Sequence, residues 1–410
     1  MRPLAEAQRD VLDAMPLLPT ATMPLDQALG LALARPVEAP HDVPPFTNSA
    51  MDGYAVQGAD VGSAPATLRL LEDVPAGHVA QGAVTAGAAI KIMTGAPMPD
   101  GADTVVKVED TEPLPGAVRI LAATATGTAV RPAGGDLTAG SPVFGVGERL
   151  TARHVAVLAS LGINPSVRRR PRVAVLSTGD EVLPPDTQTL GPGQIRDTNR
   201  PLLIGMLQRL GAVVVDLGIV GDDAETLRNA LASGADQADM VLTSGGVSKG
   251  EYDLVKAILA ELGTVDFWQV AMQPAKPFAF GHISGTPLLG LPGNPVSVMV
   301  AYEQFARPAL LHMMGCDQVF RAQAAAISAE RWRTHPAKVV FTRVITEVRD
   351  DVTYVRTSGE QMSNVLSSLA RATAFAVVPV GTGYVEEGDR VTIELFRAPA
   401  TRTASEVLGG

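Results

Sequence analysis

The period of the apolar positions changes several times along the chain, and each change predicts a different kind of element. In residues 4–15 the apolar side chains fall at Leu4, Ala7, Val11 and Leu12, the spacing of a helix with one buried face. A second helix is predicted over 25–34, stopped by Pro36. The proline-rich passage EAPHDVPPFTNSAMDGYAV reads as irregular up to Tyr54. From 55 to 150 short β-prone pieces recur at 66–71, 104–108 and 118–121, separated by turn signals, which predicts a small β unit. Helical spacing returns over 151–161 in TARHVAVLASLG.

Beyond the basic run Arg168-Arg169-Arg170-Pro171, read as a solvated linker with an anion site as the alternative, strands and helices alternate. Apolar strands are predicted at 172–176, 213–217, 240–243 and 287–291. Helices are predicted at 200–210, 224–231, 252–262 and 295–314. Gly211 ends the first of these, and Asp222 or Asp223 can cap the second. That order is the signature of a doubly wound parallel sheet. After residue 320 the pattern turns β-prone again at 338–348, 353–357, 374–380 and 390–395. The expectation is a multidomain α/β protein: one doubly wound parallel sheet domain, a helical and linker N-terminal region, and two β-rich domains. The boundaries read as 1–45 with 146–170, an inserted 46–145, 171–317 for the α/β domain, 318–400 for a barrel-like domain, and a frayed tail at 401–410.

Composition narrows the function classes. The 410 residues are 46% hydrophobic and 19% charged, with a net charge of −10, which argues against a general nucleic-acid binder. The lone Cys316 excludes an intrachain disulfide and a cysteine-cluster metal site. The first residues, MRPLAEAQRDVLDAM, carry acids and no continuous apolar core, unlike a signal peptide. No apolar run approaches the roughly 20 residues of a membrane-spanning helix. A cytoplasmic protein without a membrane or nucleic-acid partner is expected.

Ligands of open parallel sheets sit beyond the carboxyl ends of the strands, and that rim can be read directly. One strand runs into Ser177-Thr178-Gly179-Asp180-Glu181, another into TSGGVS at 243–248, and a third into LPGNPVS at 291–297. Each loop offers small residues, hydroxyls and backbone N–H groups ahead of a helix, which suits an oxyanion. Singly, GGVS is as readable as a tight turn and PGNP as a helix cap. Three such loops on one rim favour a binding site. The adjacent carboxylates Asp180 and Glu181 are candidate ligands for Mg²⁺, which prefers oxygen donors and phosphate company. Asp223 reads as a cap, with Asp222 and Asp253 left open.

NSAMDGYA (48–55), IMTGAPMPDGAD (92–103), STGDEV (177–182), IRDTN (195–199), TSGGVS, KPFAFG (276–281) and LPGNPVS together resemble the molybdopterin molybdenumtransferases. These are bacterial molybdenum insertases, to which the gephyrin E domain is similar. The resemblance runs in order from about residue 5 to 395. It implies an Mg²⁺-dependent reaction of adenylylated molybdopterin with molybdate, giving molybdenum cofactor and AMP. It implies a homodimer sharing its active site, with the adenylyltransferase and apo-molybdoenzymes as further partners. Catalytic positions carried over are Asp52 and Thr94 (from the opposite subunit), Glu181, Asp222 and Asp253. Ligand-binding positions are Arg131, Asp136, Thr178, Gly179, Asp180, Asp197, Asn199, Ser244, Gly245, Gly246, Ser248, Lys249, Lys276, Pro292, Gly293, Asn294, Pro295 and Ser297.

The chain departs from the family pattern at Gln269 and Gln273, where the family has Lys or Arg, at Ala275, where it has Gly, and at Gly135, where it often has Glu. Lys276 stays, and Lys249 stands where Val is usual. Lys249 reads either as a replacement cation or as a solvent-facing residue at a helix start, where the dipole disfavours it. The missing cations leave a second reading open, a molybdopterin-binding or storage protein with weakened catalysis.

Overall fold

The computed structural model describes residues 1–75, 77–245 and 252–396. Its centre is a six-stranded mixed sheet formed by β1 (Arg172–Thr178), β2 (Val213–Val220), β3 (Met240–Ser244), β4 (Gly263–Gln269), β5 (Pro277–Ile283) and β6 (Thr286–Leu291), in the order β2-β1-β3-β6-β5-β4. The first four in that order are parallel. β1, β3 and β6 are almost wholly buried, as their continuous Val, Leu and Ala runs require of strands covered on both faces. The last two strands add an antiparallel extension that the periodicity does not predict. Its hairpin turns at Ser284-Gly285, both at positive φ, the twist that a two-residue hairpin needs.

Four helices pack on this sheet: α1 (Asn199–Leu210), α2 (Ala224–Gln237), α3 (Tyr252–Leu262) and α4 (Pro295–Ala301). α1 buries Leu203, Leu207 and Leu210 and is closed by Gly211 at φ 95, the left-handed C-terminal stop. Asp223 caps α2, its Oδ1 accepting from Thr226 N at 2.8 Å and from the Thr226 hydroxyl at 2.6 Å. The predicted helix 295–314 is continuous in direction but carries a π-turn at Tyr302–Ala306 before resuming at Arg307–Met313.

The remaining units are β-rich at both ends. A six-stranded sheet built from residues 53–120 holds Gly53–Val56 between Thr104–Lys107 and Ala88–Ile92. At the C-terminal end Val339–Arg349, Val352–Thr357, Gln323–Ser328, Arg390–Leu395 and Ala374–Val378 pair in a ring, the last returning to the first. The closure removes the free edges of that sheet and makes it a barrel. Met272–Gln273 pairs with Val339 and Val340 and ties the barrel to the rim of the central sheet.

Two expectations change. The helix predicted at 25–34 is confined to Leu25–Ala28. Gly30 turns to φ 81, after which Leu31, Ala32 and Leu33 are buried in extended chain, Leu33 bridging Val167. The apolar spacing there fills a core without making a helix. The basic run is structural: Arg169 forms a two-pronged pair with Asp239, both contacts 2.6 Å, and Arg168 Nη1 donates to Leu18 O.

Candidate functional site

A cavity of about 720 Å³ opens at the carboxyl ends of β1, β3 and β6. Thr178, Glu181, Asp197, Asn199, Ser244, Gly245, Gly293, Asn294 and Pro295 line it, drawn from four separate stretches of sequence. Parallel strands bring them together, because β1, β3 and β6 run side by side in register and end at one edge. Ser177, Arg196, Thr198 and Asn364 also line it and stand outside the set named from sequence. Asn364 comes from the barrel unit and was too far along the chain to be linked to the rim by any local pattern.

The cavity floor is a fixed polar network. Asp197 is 4% exposed; its Oδ1 accepts from the Ser177 hydroxyl at 3.0 Å and from Arg200 N at 3.1 Å. Arg200 Nε donates to Asp197 Oδ2 at 3.0 Å, and its Nη1 donates to Asp216 at 2.5 Å. A buried carboxylate needs such partners to remain charged. Asn199 Nδ2 donates to Gly293 O at 2.6 Å, which fixes the orientation of the amide. Among the described residues, the buried Asn199 Oδ1 and Ser244 Oγ atoms have no hydrogen-bond partner. Both residues line the cavity, and a buried polar atom without a partner is uncommon and calls for an explanation.

The barrel reaches this rim through its 358–365 loop. Asn294 Nδ2 donates to Ser363 Oγ at 2.9 Å, and Val296 N donates to Ser363 O at 3.2 Å. Arg343 holds the loop from beneath, 1% exposed, with Nη2 donating to Glu360 O and Met362 O. Burial pulls its guanidinium down to about 10.

Some of the expected free backbone donors are engaged among the described residues. Gly179 N donates to Val220 O and Gly245 N to Leu291 O. With Val296 N also occupied and Pro295 lacking an N–H, the glycine-rich loops leave fewer amides for an anion than their composition suggests. These bonds knit the rim together.

The other named residues lie elsewhere. Asp180 is not a lining residue; its Oδ1 accepts from Asp222 N at 3.0 Å. Among the described residues no group of three or more His, Cys, Asp or Glu side chains could hold a metal by themselves. Among the described lining residues, Glu181 supplies the one carboxylate beyond the paired Asp197. Mg²⁺ commonly takes one or two carboxylates and completes its shell with water and substrate phosphates, so this donor set fits that ion with phosphate present. Gly179, Pro292, Ser297 and Lys276 are not among the residues that line the cavity. Gln269 and Gln273 are exposed, and Ala275 sits at φ 71, a conformation that explains the preference for Gly there.

Asp52 and Thr94 form a separate exposed turn in the 53–120 unit. Asp52 Oδ1 accepts from Thr94 N at 2.6 Å and from its hydroxyl at 2.7 Å. These bonds, the hydroxyl first, hold the Asp52 carboxyl below the usual carboxylate range. Arg131 and Asp136 are exposed on the 131–137 turn. Gly246, Ser248 and Lys249 lie outside the described residues, as does the side chain of Asp253.

Comparison with known proteins matches nearly the whole length of the chain. Residues 2–162 match the family described as MoeA N-terminal region (domain I and II), 174–312 the probable molybdopterin binding domain, and 325–396 the MoeA C-terminal region (domain IV). The chain is 37% identical over 404 residues to molybdopterin molybdenumtransferase 2 of Mycobacterium tuberculosis, covering 96% of this chain and 99% of that protein. It is 35% identical over 402 residues to the molybdopterin molybdenumtransferase of Haemophilus influenzae, covering 97% and 99%. The structure of the molybdopterin biosynthesis moeA protein from Pyrococcus horikoshii OT3 superposes with a TM-score of 0.82 at 28% identity, covering 97% of this chain and 100% of that one. Sequence relatives, family regions and fold thus agree over the same span: this chain belongs to the molybdopterin molybdenumtransferases, transferases of molybdenum cofactor biosynthesis.

Proposed function

We propose that this enzyme inserts molybdate into adenylylated molybdopterin with release of AMP, in an Mg²⁺-dependent reaction, at the cavity on the β1/β3/β6 rim. The observation that carries this reading is the pair of orphaned polar atoms, Asn199 Oδ1 and Ser244 Oγ, in a cavity of about 720 Å³ on the domain that matches the probable molybdopterin binding region. That volume falls in the range of small-molecule sites.

In this reading Glu181 contributes the protein's ligand to Mg²⁺. The ion, when bound, supplies neutralisation of the phosphate oxygens. Asp197 and Arg200 act on the protein's side of the pocket. They hold Ser177 in place, and the Arg200 cation balances the Asp197 charge, so the carboxylate does not repel an incoming anion. Asn199 and Ser244 offer polar contacts to the pterin and its phosphate bridge. The chemistry needs no protein nucleophile: water attacks the phosphoanhydride and AMP leaves, while the two dithiolene sulfurs bond to molybdenum as their two protons and one molybdate oxygen leave as water. The chain's task is to hold two anions close together and keep competing ligands out.

Asp52 and Thr94 do not line the cavity of their own chain. Their exposed turn is free to complete the cavity of a second copy, and we infer a homodimer with two shared sites working in the cytoplasm. The adenylyltransferase that makes the substrate and the apo-molybdoenzymes that receive the product are the expected partners. The test is incubation of purified protein with adenylylated molybdopterin, Mg²⁺ and molybdate, followed by reconstitution of an apo-molybdoenzyme. AMP release with reconstitution supports the transferase reaction. Tight binding with no AMP released points to a storage role, the reading favoured by neutral Gln269 and Gln273.

A further inference from the structure

Part of the donor set of this rim is already in use among the described residues. The Gly179, Gly245 and Val296 amides are engaged by protein carbonyls. The charge of Asp197 is balanced by Arg200, which is itself shared with Asp216. Among the described lining residues Arg196 is the single cation not engaged by a carboxylate in the cavity floor, and Glu181 is the carboxylate beside it. Lys276 does not line the cavity.

Arg196 is held in place without being neutralised. Its Nε and Nη2 donate to Thr187 O at 3.0 and 2.6 Å, and Nη2 also donates to Gln188 O at 3.1 Å. These acceptors are uncharged carbonyls, so they orient the guanidinium and leave its charge and the Nη1 hydrogens available. The backbone fixes it equally well. Leu183 pairs with Arg196 in a short parallel ladder, and Ile195 N donates to Glu181 O at 2.8 Å. Arg196 and Glu181, the turn residue just ahead of the paired strand, therefore lie close together in the fold, and both line the cavity.

We propose that Arg196 is the residue that binds a tetrahedral oxyanion in this cavity, either the phosphate of the nucleotide or molybdate itself. The assignment rests on the molybdenum-transfer reading above. A planar, pre-oriented guanidinium loses little freedom on binding and forms charge-assisted hydrogen bonds to such oxygens. It also gives the cavity a positive pole that the engaged amides do not supply, opposite in sign to the metal-ligating Glu181.

The test titrates the full-length protein, wild type, Arg196→Gln and Arg196→Lys, with AMP and separately with molybdate, at low and high ionic strength. The expected result is roughly tenfold weaker binding of at least one anion by Arg196→Gln, with partial recovery in Arg196→Lys. Salt dependence should flatten in the Gln variant, because a screened charge has been removed. The arm that changes identifies the anion. Wild-type affinity and salt dependence in both arms for Arg196→Gln overturn the proposal. So does equal weakening by Gln and Lys with unchanged salt dependence, which assigns Arg196 to bracing the 184–194 loop alone. A wild-type protein that binds neither anion overturns the molybdenum-transfer reading itself.

Discussion

Asn294 Nδ2 donates to Ser363 Oγ at 2.9 Å, and this contact joins the start of α4 to a loop of the C-terminal barrel at the cavity edge. Asn294 occupies the N-cap position of α4, yet its side chain makes no capping bond; it is turned to the barrel instead. Ser363→Ala is expected to cost about 1 kcal/mol of stability and to raise KM for the molybdopterin nucleotide more than it lowers kcat. Steady-state kinetics beside a urea melt check this. An unchanged KM contradicts a role for the interdomain contact in shaping the site.

Asp197 is predicted to matter for stability before it matters for chemistry. Its carboxylate accepts three hydrogen bonds from Ser177 and Arg200 with a side chain only 1% exposed. Asp197→Ala removes one member of a buried pair and should destabilise by about 3 kcal/mol. The midpoint of urea unfolding measures it.

Gly245 leaves β3 at φ 97, and a Cβ there would meet Thr178 Oγ1 at 2.7 Å and Thr178 O at 2.9 Å. The backbone oxygen cannot move without displacing the end of β1. Gly245→Ala should therefore lose most molybdenum-transfer activity with a smaller loss of global stability, read by activity assay and thermal melt together. A fully active variant contradicts this account of the rim.

Asp52 carries a pH prediction. Thr94 bonds to the ionised carboxyl and lowers its pKa in the folded protein. The turn's added stability is thus complete above the ordinary value of roughly 3.9 and is lost as pH falls through the depressed native value. An NMR titration should place the Asp52 midpoint below that ordinary value, and Thr94→Val should move it up. No movement in Thr94→Val shows that the hydroxyl is not the cause.

Mixed subunits test the shared site. Asp52→Ala and Glu181→Ala proteins should each be nearly inactive alone, and a mixed population should recover activity, since one of the two sites in a mixed dimer keeps both residues. Absence of recovery, with mixed dimers verified by mass spectrometry, counts against completion of the cavity by a second copy.

Much of this was legible in the sequence because it is local. The β1, β3 and β6 runs announce buried parallel strands, and the loops after them announce the rim. Gly211 and Asp223 mark the ends of α1 and α2 where capping chemistry puts them. What escaped was long-range. The β4–β5 extension follows helix α3 without a break in apolar content, and Asn364 reaches the rim only through barrel closure. Leu31 to Leu33 mimic helical spacing because a core needs apolar residues whatever the backbone does. Arg196 was hidden in plain view inside IRDTN: the pattern draws the eye to Asp197 and Asn199, and only the fold puts Arg196 among the cavity-lining residues, with its guanidinium held by Thr187 and Gln188.

The most direct test of the central claim is single-turnover AMP release from adenylylated molybdopterin with Mg²⁺, with and without molybdate, by wild type and Glu181→Gln. The account predicts molybdate-dependent release by the wild type and a large loss of it in Glu181→Gln with nucleotide binding retained. Release that ignores molybdate, or that survives unchanged in Glu181→Gln, would contradict it.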